Sequence, residues 1–411
     1  MRRNKYFSAI DLGSTKIRVM IAETFAEEED KVRVIGVGEA LSFGMRKGSI
    51  ADGESLSKSL MTAVSQAETM AGVQIREATV SLGGLNIRTQ RGKGVIAVGK
   101  VDGEVVAEDV ERAISAVEKT DIPLNYEIIH IIPRSYRLDD QTDIVDPIGM
   151  QGVRLEVDAV VIIAFSPQIK QIRALLVTCG IEARQFIFSP LAAAEAVLER
   201  QQKELGVAVV DIGGMTTGLT VYEEGELLHC TSFAIGSSHI TNDIAIGLRT
   251  SIDLAERVKI EYGTANLDAI DKDEDIRLSS LDPSEDGDVS RYHVGEIIEA
   301  RLEEILEKVS DTLRSFEKEH PLPSGLILVG GGAHMPEIID MTKNFLALPV
   351  SLGYPKSLTG IVDKVDDPGY AVVAGLIHWQ LHNDFERSGG RENPFSSIFQ
   401  RVKEWFKIFM P

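Results

Sequence analysis

Two segments of the chain place an aspartate, glycines and hydroxyl side chains directly after an apolar run, a combination that suits phosphate binding. Backbone N–H groups at a glycine turn can approach an anion closely, and hydroxyl groups add donors. The aspartate repels a phosphate, so we expect it to act through Mg²⁺ or a metal-bound water. The two aspartates are Asp11 and Asp211. The residues that follow them are Gly13, Ser14, Thr15, Lys16, Gly213, Gly214, Thr216 and Thr217.

The runs on either side of each turn have the composition of β-strands. Residues 7–10 and 207–210 precede the two aspartates, and residues 17–21 and 219–222 follow the turns. Each segment is therefore predicted to form a β-hairpin with a glycine turn. For one segment alone, an ordinary glycine hairpin with an exposed aspartate explains the pattern equally well. Two copies in one chain favour two related halves that face one nucleotide.

A third glycine cluster follows the apolar run 326–329 and lacks both the P-loop pattern GxxxxGK[ST] and the dinucleotide pattern GxGxxG. Three glycine turns in this order resemble the two phosphate loops and the adenosine loop of the actin-like ATPase superfamily. That superfamily includes actin, MreB and the sugar kinases. The resemblance implies an α/β fold with two lobes, built from duplicated ribonuclease-H-like domains, that holds ATP and Mg²⁺ between them. The third loop would contribute Gly330, Gly331, Gly332 and Met335.

Composition limits the classes of function. A chain of 411 residues is long enough for two or more domains, and 44% hydrophobic residues are typical of a soluble globular protein. The net charge of −20 argues against a nucleic-acid surface, which needs a basic face. Two isolated cysteines, Cys179 and Cys230, predict neither a disulfide framework nor a zinc site. No stretch approaches the roughly 20 apolar residues that span a bilayer.

An inserted module separates the two parts of the first lobe. Residues 86–98, 106–120, 126–138 and 153–164 read as strand, helix, strand and strand. The runs IIHIIPRSYRLDD (128–140) and DPIGMQGVRLEVDAVVI (146–162), and the place of the insertion, resemble the FtsA family of bacterial cell-division proteins. A related module occurs in PilM proteins of pilus assembly, so the module alone leaves both families open.

The resemblance implies a division of the chain. Residues 1–83 and 166–200 would form the first actin-like subdomain, and residues 84–165 the inserted α+β module of the SHS2-like type. Residues 201–235 and 325–382 would form the second actin-like subdomain, with 236–324 as the small subdomain of that lobe. Residues 383–393 are polar, contain glycines and are predicted to be a flexible linker before a terminal helix over 394–411.

Three further residues complete the nucleotide site that the resemblance implies. Gly236 begins a predicted helix after the second phosphate loop. Glu256 and Lys259 lie three apart on one face of another predicted helix, where they would reach the ribose and adenine. A surface ion pair is the alternative for these two side chains. The second loop departs from many relatives at Met215 and Gly218, and no residue is identified as a catalytic base.

A long amphipathic helix is predicted over residues 292–317, and Arg301 interrupts its apolar face. One interpretation is an arginine that extends from the edge of the core to solvent. The segment EIIEARLEEIL also resembles the FtsA helix that receives the C-terminal peptide of FtsZ, which would make Arg301 and Glu304 contact residues for that partner.

Residues 394–411 are predicted to form a helix with one apolar stripe, opposite a polar face on which three cations outnumber the single acid. A helix that packs on its own core is one alternative, but the preceding linker and the basic-aromatic pattern favour a helix in a membrane interface. The apolar residues of the stripe are Phe395, Ile398, Phe399, Val402, Trp405, Phe406 and Phe409. The cations are Arg401, Lys403 and Lys407.

The resemblance therefore implies an ATP-binding division protein that polymerises on the cytoplasmic face of the cell membrane at the division site. It would tether FtsZ filaments there and recruit later division proteins. A PilM-like assembly scaffold is one alternative, and the segment around Arg301 and the terminal helix distinguish it. A small-molecule kinase of the same superfamily is the other, but the sequence does not indicate a catalytic aspartate in a sugar-binding cleft.

Overall fold

A computed structural model describes residues 5–25, 28–119, 121–315 and 322–387. Its first segment builds most of one sheet and a helix that covers it. Asp52 caps the start of this helix by accepting from the N–H of Glu54 and Ser55, and Gly72 ends it at φ +71°. The elements are β1 (Lys5–Leu12), β2 (Lys16–Phe25), β3 (Glu28–Leu41), β4 (Met45–Arg46), β5 (Ser49–Ile50), α1 (Gly53–Ala71) and β6 (Glu77–Leu82).

The inserted module follows directly and has its own core. One helix packs against an antiparallel sheet, and alternate residues of the strand that lies between the two other long strands, from Leu155 to Ile163, fill the space between helix and sheet. Its elements are β7 (Ile87–Ala97), α2 (Ala107–Val117), β8 (Tyr126–Leu138), β9 (Gln141–Ile144) and β10 (Arg154–Phe165), with strand order β7-β10-β8-β9. The short strand β9 was not predicted from the sequence.

The chain then returns to the first lobe and crosses to the second. The crossing consists of two short helices rather than one, because the backbone is extended at Leu198 and Glu199. The elements are α3 (Ser166–Thr178), β11 (Glu182–Phe188), α4 (Ser189–Val197) and α5 (Arg200–Leu205).

The second lobe begins with the second predicted hairpin. Its described elements form a five-stranded sheet, a separate two-stranded sheet (the two strands between residues 275 and 290) and four α-helices. The elements are β12 (Val207–Ile212), β13 (Thr217–Glu223), β14 (Glu226–Phe233), α6 (Ser237–Leu248), α7 (Ile252–Tyr262), β15 (Asp275–Arg277), β16 (Asp288–Ser290), α8 (Arg291–Arg314), β17 (Leu326–Val329), α9 (Ile338–Leu346) and β18 (Val350–Leu352). The strand β19 (Leu358–Gly360) and the helix α10 (Ala371–Arg387) return to the first lobe.

The two main sheets repeat one plan. The first has the order β11-β6-β1-β2-β3-β19, and the second has the order β14-β13-β12-β17-β18. In each, an antiparallel hairpin (β1–β2 or β12–β13) lies beside a parallel neighbour of its first strand (β6 or β17). This duplication, together with the inserted module, confirms the predicted actin-like fold class.

Helices α4 and α10 pack between the two sheets. At their crossing, a Cβ added to Gly375 would lie 1.8 Å from the carbonyl oxygen of Ala192, so only glycine permits this approach. Helix α10 continues to Arg387 and therefore includes residues 383–387, which the sequence assigns to the flexible linker. The linker prediction is wrong for those residues, because a helix that is already formed and buried can be extended by one further turn at little cost. The predicted terminal helix over 394–411 lies outside the described residues.

Candidate functional site

The first hairpin carries Asp11 at the end of β1 and turns at Gly13. A Cβ at Gly13 would lie 2.5 Å from the carbonyl oxygen of Lys16, so the tight turn requires glycine. The second hairpin repeats this geometry, since the Gly213 N–H donates to the carbonyl oxygen of Thr216 at 2.9 Å. Both predicted hairpins are present, each with its aspartate immediately before the turn.

The tips of the two hairpins face each other across a cleft between the lobes. The hydroxyl oxygens of Thr15 and Ser238 are 3.4 Å apart, and a Cβ at Gly214 would lie 1.9 Å from the Thr15 hydroxyl. The start of α6 holds the second tip, because the N–H groups of Ser237 and Ser238 donate to the carbonyl oxygens of Gly213 and Gly214 at 2.9 and 2.8 Å. The lobes therefore meet at the residues predicted to bind phosphate.

The third glycine turn completes the wall of the cleft. Gly330 adopts φ +84°, and a Cβ there would lie 2.3 Å from the Asp211 carboxylate. Its N–H donates to the carbonyl oxygen of Pro368 at 2.9 Å, which ties the turn to the start of α10. Strand β17 pairs in parallel with β12, so this turn and Asp211 lie at the same edge of the second sheet.

The cleft has a cavity volume of about 550 Å³, within the range of small-molecule sites. Most of the predicted nucleotide-site residues line it: Asp11, Gly13, Ser14, Thr15, Lys16, Asp211, Gly213, Gly214, Thr216, Glu256, Lys259, Gly330, Gly331, Gly332 and Met335. Two predicted residues do not reach it. Thr217 is fully buried and its hydroxyl donates to the carbonyl oxygen of Ile235 at 2.8 Å, so its side chain does not line the cleft. Gly236 instead packs against the carbonyls of the second tip.

Two carboxylates lie on the floor of the cleft with little access to solvent. Burial raises the pKa of Asp11, although the Ser81 hydroxyl donates to its carboxylate at 2.7 Å and Arg18 is nearby. Burial and the charge of Asp11 raise the pKa of Asp211 to about 7, and Arg18 acts in the opposite direction. Both carboxylates are therefore short of positive charge, which is a feature of ligand sites.

Two carboxylates suit an Mg²⁺ ion that also binds water and phosphate, rather than a metal ion bound by protein side chains alone. Within the described part of the chain, no three His, Cys, Asp or Glu side chains are grouped to hold a metal ion. Mg²⁺ typically uses one or two carboxylates together with waters and substrate phosphates. Asp11 and Asp211 match that requirement when a phosphate group lies at the hairpin tips.

Sequence reasoning missed two charged residues on the same floor. Arg18 on β2 pairs across the strands with Asp11 on β1 and with Glu39 on β3, and both Arg18 and Glu39 line the cleft. The Arg18 Nε donates to Glu39 at 2.9 Å, and the Lys16 ammonium donates to the other carboxylate oxygen at 2.5 Å. Period-two alternation along the second run could have placed Lys16 and Arg18 on one face, but the register of β3 is not visible in the sequence.

The segment before α10 adds a second contact network that the sequence did not reveal. Asp367 accepts from the Gly369 N–H at 2.6 Å and lies 2.9 Å from the Nε2 of His334, in the third glycine turn. The ring of Tyr370 lies under the Arg18 guanidinium, with 4.9 Å to the ring centroid. These contacts join the third turn, the start of α10 and the first hairpin.

The predicted pair on α7 is an ion pair inside the cleft rather than on the outer surface. The Lys259 ammonium lies 2.6 Å from the Glu256 carboxylate and donates to the Thr241 hydroxyl at 2.8 Å. The Thr241 hydroxyl in turn donates to Glu256. Lys259 is buried and Glu256 is more exposed, so both are held at the second-lobe wall of the cleft.

Comparison with known proteins identifies the family. A model of "Cell division protein FtsA" matches residues 208–375, and a model of the "SHS2 domain inserted in FTSA" matches residues 84–163. The FtsA of Bacillus subtilis (strain 168) is 35% identical over 404 residues, which cover 98% of this chain and 89% of that protein. The FtsA of Neisseria meningitidis serogroup B is 32% identical and covers 99% of both chains. The chain belongs to the FtsA family of cell division proteins.

Solved structures of more distant proteins share the fold of this FtsA-family chain. The PilM–PilN type IV pilus biogenesis complex contains a chain with a TM-score of 0.66 and 15% identity, covering 91% of this chain and 98% of that one. MreB5 of Spiroplasma citri bound to ADP has a TM-score of 0.53 and 13% identity, covering 94% and 99%. At these identities the likeness shows the fold alone.

A groove beside α8 surrounds the predicted FtsZ-contact residues of this FtsA-family chain. It has a cavity volume of about 360 Å³ and is lined by Arg301, Glu304 and Lys308 of α8 and by apolar residues that include Leu85 and Phe233. The Arg301 Nε lies 2.6 Å from the Asp243 carboxylate of α6, and its other nitrogen pairs with Glu304. Arg301 therefore lines the groove and also joins α8 to α6.

The predicted membrane segment of this FtsA-family chain lies outside the described residues, so the structure gives no contacts for it. In residues 5–25, 28–119, 121–315 and 322–387, no helix has the length and apolar character needed to cross a membrane.

Proposed function

We propose that this FtsA-family protein binds ATP with Mg²⁺ between its lobes, polymerises on the inner face of the cell membrane and tethers FtsZ filaments there. Recruitment of later division proteins is part of the same proposal. The observation that carries the nucleotide part is the pair of duplicated Asp–Gly hairpins whose tips face each other, with Thr15 and Ser238 3.4 Å apart.

Cleft geometry supports ATP as the ligand. Each hairpin tip has the glycine backbone and hydroxyl groups that bind phosphate oxygens, and the third glycine turn with the Glu256–Lys259 pair offers a wall for the nucleoside. The structures of Spiroplasma citri MreB5 are described as bound to ADP and to AMPPNP. Because the same fold surrounds this cleft, we infer that a nucleotide occupies the same place here.

Asp11, which is buried, and Asp211, which is partly exposed, support a role for Mg²⁺. Bound Mg²⁺ would neutralise phosphate charge and link phosphate oxygens to carboxylates through its waters. Asp11 accepts a hydrogen bond from Ser81, Asp211 lies against Gly330, and both aspartates line the cleft.

The side chains that line the cleft favour a protein whose role is mainly structural rather than catalytic. No asparagine or glutamine of the described chain lines it, and two of its carboxylates are each paired with a cation. Glu39 is paired with Lys16 and Arg18, and Glu256 is paired with Lys259, while Asp367 lies 2.9 Å from the His334 ring. We therefore propose ATP as the ligand that sets the lobe arrangement, with hydrolysis weak or absent.

The groove beside α8 is the proposed site for the acidic C-terminal peptide of FtsZ. Arg301 and Lys308 offer positive charge, and Leu85 and Phe233 offer apolar contacts for a peptide that carries both kinds of side chain. Leu85 is half-exposed, so the apolar part of the groove is accessible. Complementary charge favours encounter with such a peptide and excludes basic ones.

The proposed membrane anchor is residues 394–411, on the strength of their sequence alone. The stripe of apolar and aromatic residues opposite a basic face is typical of a helix that lies in a membrane interface. One such helix binds reversibly, so several copies on one polymer would supply firm attachment through high local concentration.

Titration with nucleotide tests the central step. We expect Asp211→Asn to raise the Kd for ATP by about ten-fold or more in Mg²⁺, since a carboxylate that binds the ion is lost, a cost of at least ~1.4 kcal/mol. In EDTA the wild type and the variant should bind alike. Asp311→Asn, an exposed position on α8, is the matched control. An Asp211→Asn protein that binds ATP as tightly as wild type in Mg²⁺ would refute the proposed site.

A further inference from the structure

Three charged residues lie in one row across the floor of the cleft. Asp11 on β1 is directly opposite Arg18 on β2, and Arg18 is directly opposite Glu39 on β3. Lys16 lies two residues before Arg18, so its side chain emerges on the same face as Arg18 and is diagonal to Glu39. Residues at such positions are close enough for long side chains to meet.

Glu39 forms ion pairs with Arg18 and with Lys16 at the same time. One carboxylate oxygen accepts from the Lys16 ammonium at 2.5 Å, and the other accepts from the Arg18 Nε at 2.9 Å. The Arg18 side chain is only 12% exposed and lies over Tyr370, whereas the Lys16 side chain is 42% exposed. Arg18 is therefore the fixed partner of Glu39, and Lys16 is the movable one.

The negative charge of Glu39 opposes binding of the proposed polyphosphate ligand. Glu39 lines a cleft that would receive a polyphosphate, and it occupies the ammonium at the tip of the first phosphate loop. Although burial acts in the opposite direction, the hydrogen bond from Lys16 and the charge of Arg18 hold the pKa of Glu39 below its ordinary value, so it is ionised at neutral pH. A phosphate must compete with a charged partner for Lys16.

We propose that Glu39 is a positioning residue that holds the Lys16 ammonium before nucleotide enters and sets the cost of transferring it to a phosphate oxygen. This role rests on the proposed binding of ATP in the cleft. When Lys16 turns to the phosphate, Arg18 keeps Glu39 paired and away from the anion. Glu39 thereby weakens nucleotide affinity in a way that depends on Lys16.

The test is a double-mutant cycle on the full chain with Mg·ATP, using calorimetric titration. We expect Glu39→Gln to lower the Kd about three- to five-fold, the size of a partly exposed ion pair, because Lys16 is released. Lys16→Gln should raise the Kd. In the Lys16→Gln background, Glu39→Gln should give little further gain, which separates release of Lys16 from simple repulsion between Glu39 and phosphate.

Thermal unfolding without nucleotide supplies a second readout. Glu39→Gln loses ion pairs between β2 and β3, so its unfolding temperature should fall or stay level while its affinity for Mg·ATP rises. A purely structural pair would not produce that opposite movement. Glu77→Gln on β6 is the control, since Glu77 is paired with Arg184 at 3.7 Å in the same sheet and does not line the cleft.

Each outcome decides between the two proposals. A wild-type protein that does not bind Mg·ATP would overturn the nucleotide site and this role together. If the wild type binds and Glu39→Gln has the same or a weaker affinity, only the role of Glu39 is overturned. An equal gain in the wild-type and Lys16→Gln backgrounds would also overturn it, because the effect would then not pass through Lys16.

Discussion

At the scale of single residues, Arg301 makes contacts within the fold and is also a proposed contact for FtsZ, so a substitution must separate the two effects. It binds Asp243 at 2.6 Å and also pairs with Glu304, and its side chain is 26% exposed. The hydrogen bond that Arg301 donates to the Asp243 carboxylate raises the pKa of Arg301 further, so the guanidinium is always charged. Replacing it by glutamate would place three carboxylates together and loosen the contact between α6 and α8, as well as repel an acidic peptide.

Lys308 on the same helix lines the same groove and gives a cleaner variant. We expect Arg301→Glu and Lys308→Glu each to weaken binding of the FtsZ C-terminal peptide by a few-fold, because a cation facing an acidic ligand becomes a like charge. Only Arg301→Glu should also lower the free energy of unfolding, by on the order of 1 kcal/mol. Fluorescence anisotropy and urea unfolding measure the two effects.

Lys343→Glu on α9 is the matched control for charge, since Lys343 does not line the groove. Unchanged peptide affinity in both groove variants, with the fold intact, would show that FtsZ binds another surface.

Residue types and spacing predicted those cleft-lining residues whose pattern is contained in a short stretch of sequence. Asp11 and Asp211 are visible because each ends an apolar run and precedes a glycine turn. Thr217 begins strand β13 and its side chain is buried, whereas Thr216 in the preceding turn lines the cleft, and the sequence does not express this difference between two adjacent threonines. Glu39 was missed because its place beside Arg18 depends on the pairing of β2 with β3, which the sequence does not express.

At the scale of elements, the contact between the inserted module and the second lobe contains a hydrogen bond between strands and a group of buried polar atoms. The Thr89 hydroxyl of β7 donates to the carbonyl oxygen of Cys230 on β14. Nearby, the buried Arg134 Nε, one Asp158 oxygen and one Glu226 oxygen have no hydrogen-bond partner in the described chain. Buried polar atoms without partners cost stability, so this part of the contact is weakly held.

Glu226 makes that contact sensitive to pH. Burial raises the pKa of Glu226 from 4.5 to about 8, although Arg134 acts in the opposite direction. A carboxyl that binds its proton more tightly in the folded state stabilises the fold below its ordinary pKa. That contribution is lost as the pH rises toward the raised value.

We therefore expect the stability of Glu226→Gln relative to wild type to increase as the pH is raised from about 5 to 9, because glutamine never acquires the charge. Urea unfolding at pH 5, 7 and 9 measures this difference. Glu224→Gln, an exposed neighbour in the turn between β13 and β14, should show no such trend. A constant difference between Glu226→Gln and wild type across this range would contradict the buried, protonated Glu226.

Elements with strong local signals were predictable and those set by tertiary context were not. The sequence predicted both hairpins, and strand β8 has the predicted bounds of residues 126–138. Strand β9 is short and polar, so its pairing with β8 has no signal in hydrophobic pattern. The end of α10 was misplaced because its polar residues resemble a linker, while the helix continues to Arg387 from a buried start.

At the scale of the whole molecule, duplication and insertion explain the architecture. Two sheets with the same strand plan bring two copies of one hairpin to a shared cleft, and the module enters between β6 and α3 without interrupting either sheet. The fold class followed from the sequence because the glycine turns repeat. The predicted limits of the individual domains stay predictions.

Residues 394–411 are the proposed membrane anchor, and two point changes separate the apolar and the electrostatic contributions to its binding. Trp405→Glu should abolish binding to vesicles with anionic lipid, because it removes an aromatic burial worth roughly 1.5–3 kcal/mol and adds a charge. Lys403→Glu should instead weaken binding more at low salt than at high salt, since it acts through screened attraction. Vesicle flotation at two salt concentrations measures both.

Glu54→Gln on α1 serves as the control for the vesicle experiment, because it alters an exposed ion pair far from this segment in sequence. A Trp405→Glu protein that floats with vesicles as well as wild type would mean that the anchor lies elsewhere.

The most direct test of the central claim is recruitment of FtsZ filaments to membrane by this protein. Purified FtsZ with GTP would be centrifuged with anionic vesicles and Mg·ATP, alone, with the full chain, or with a chain lacking residues 394–411. We expect FtsZ to float with the vesicles only when the full chain is present. The shortened chain should still bind Mg·ATP and the FtsZ peptide but leave the filaments unattached. Equal recruitment by the shortened chain, or none by the full chain, would contradict the proposed tether.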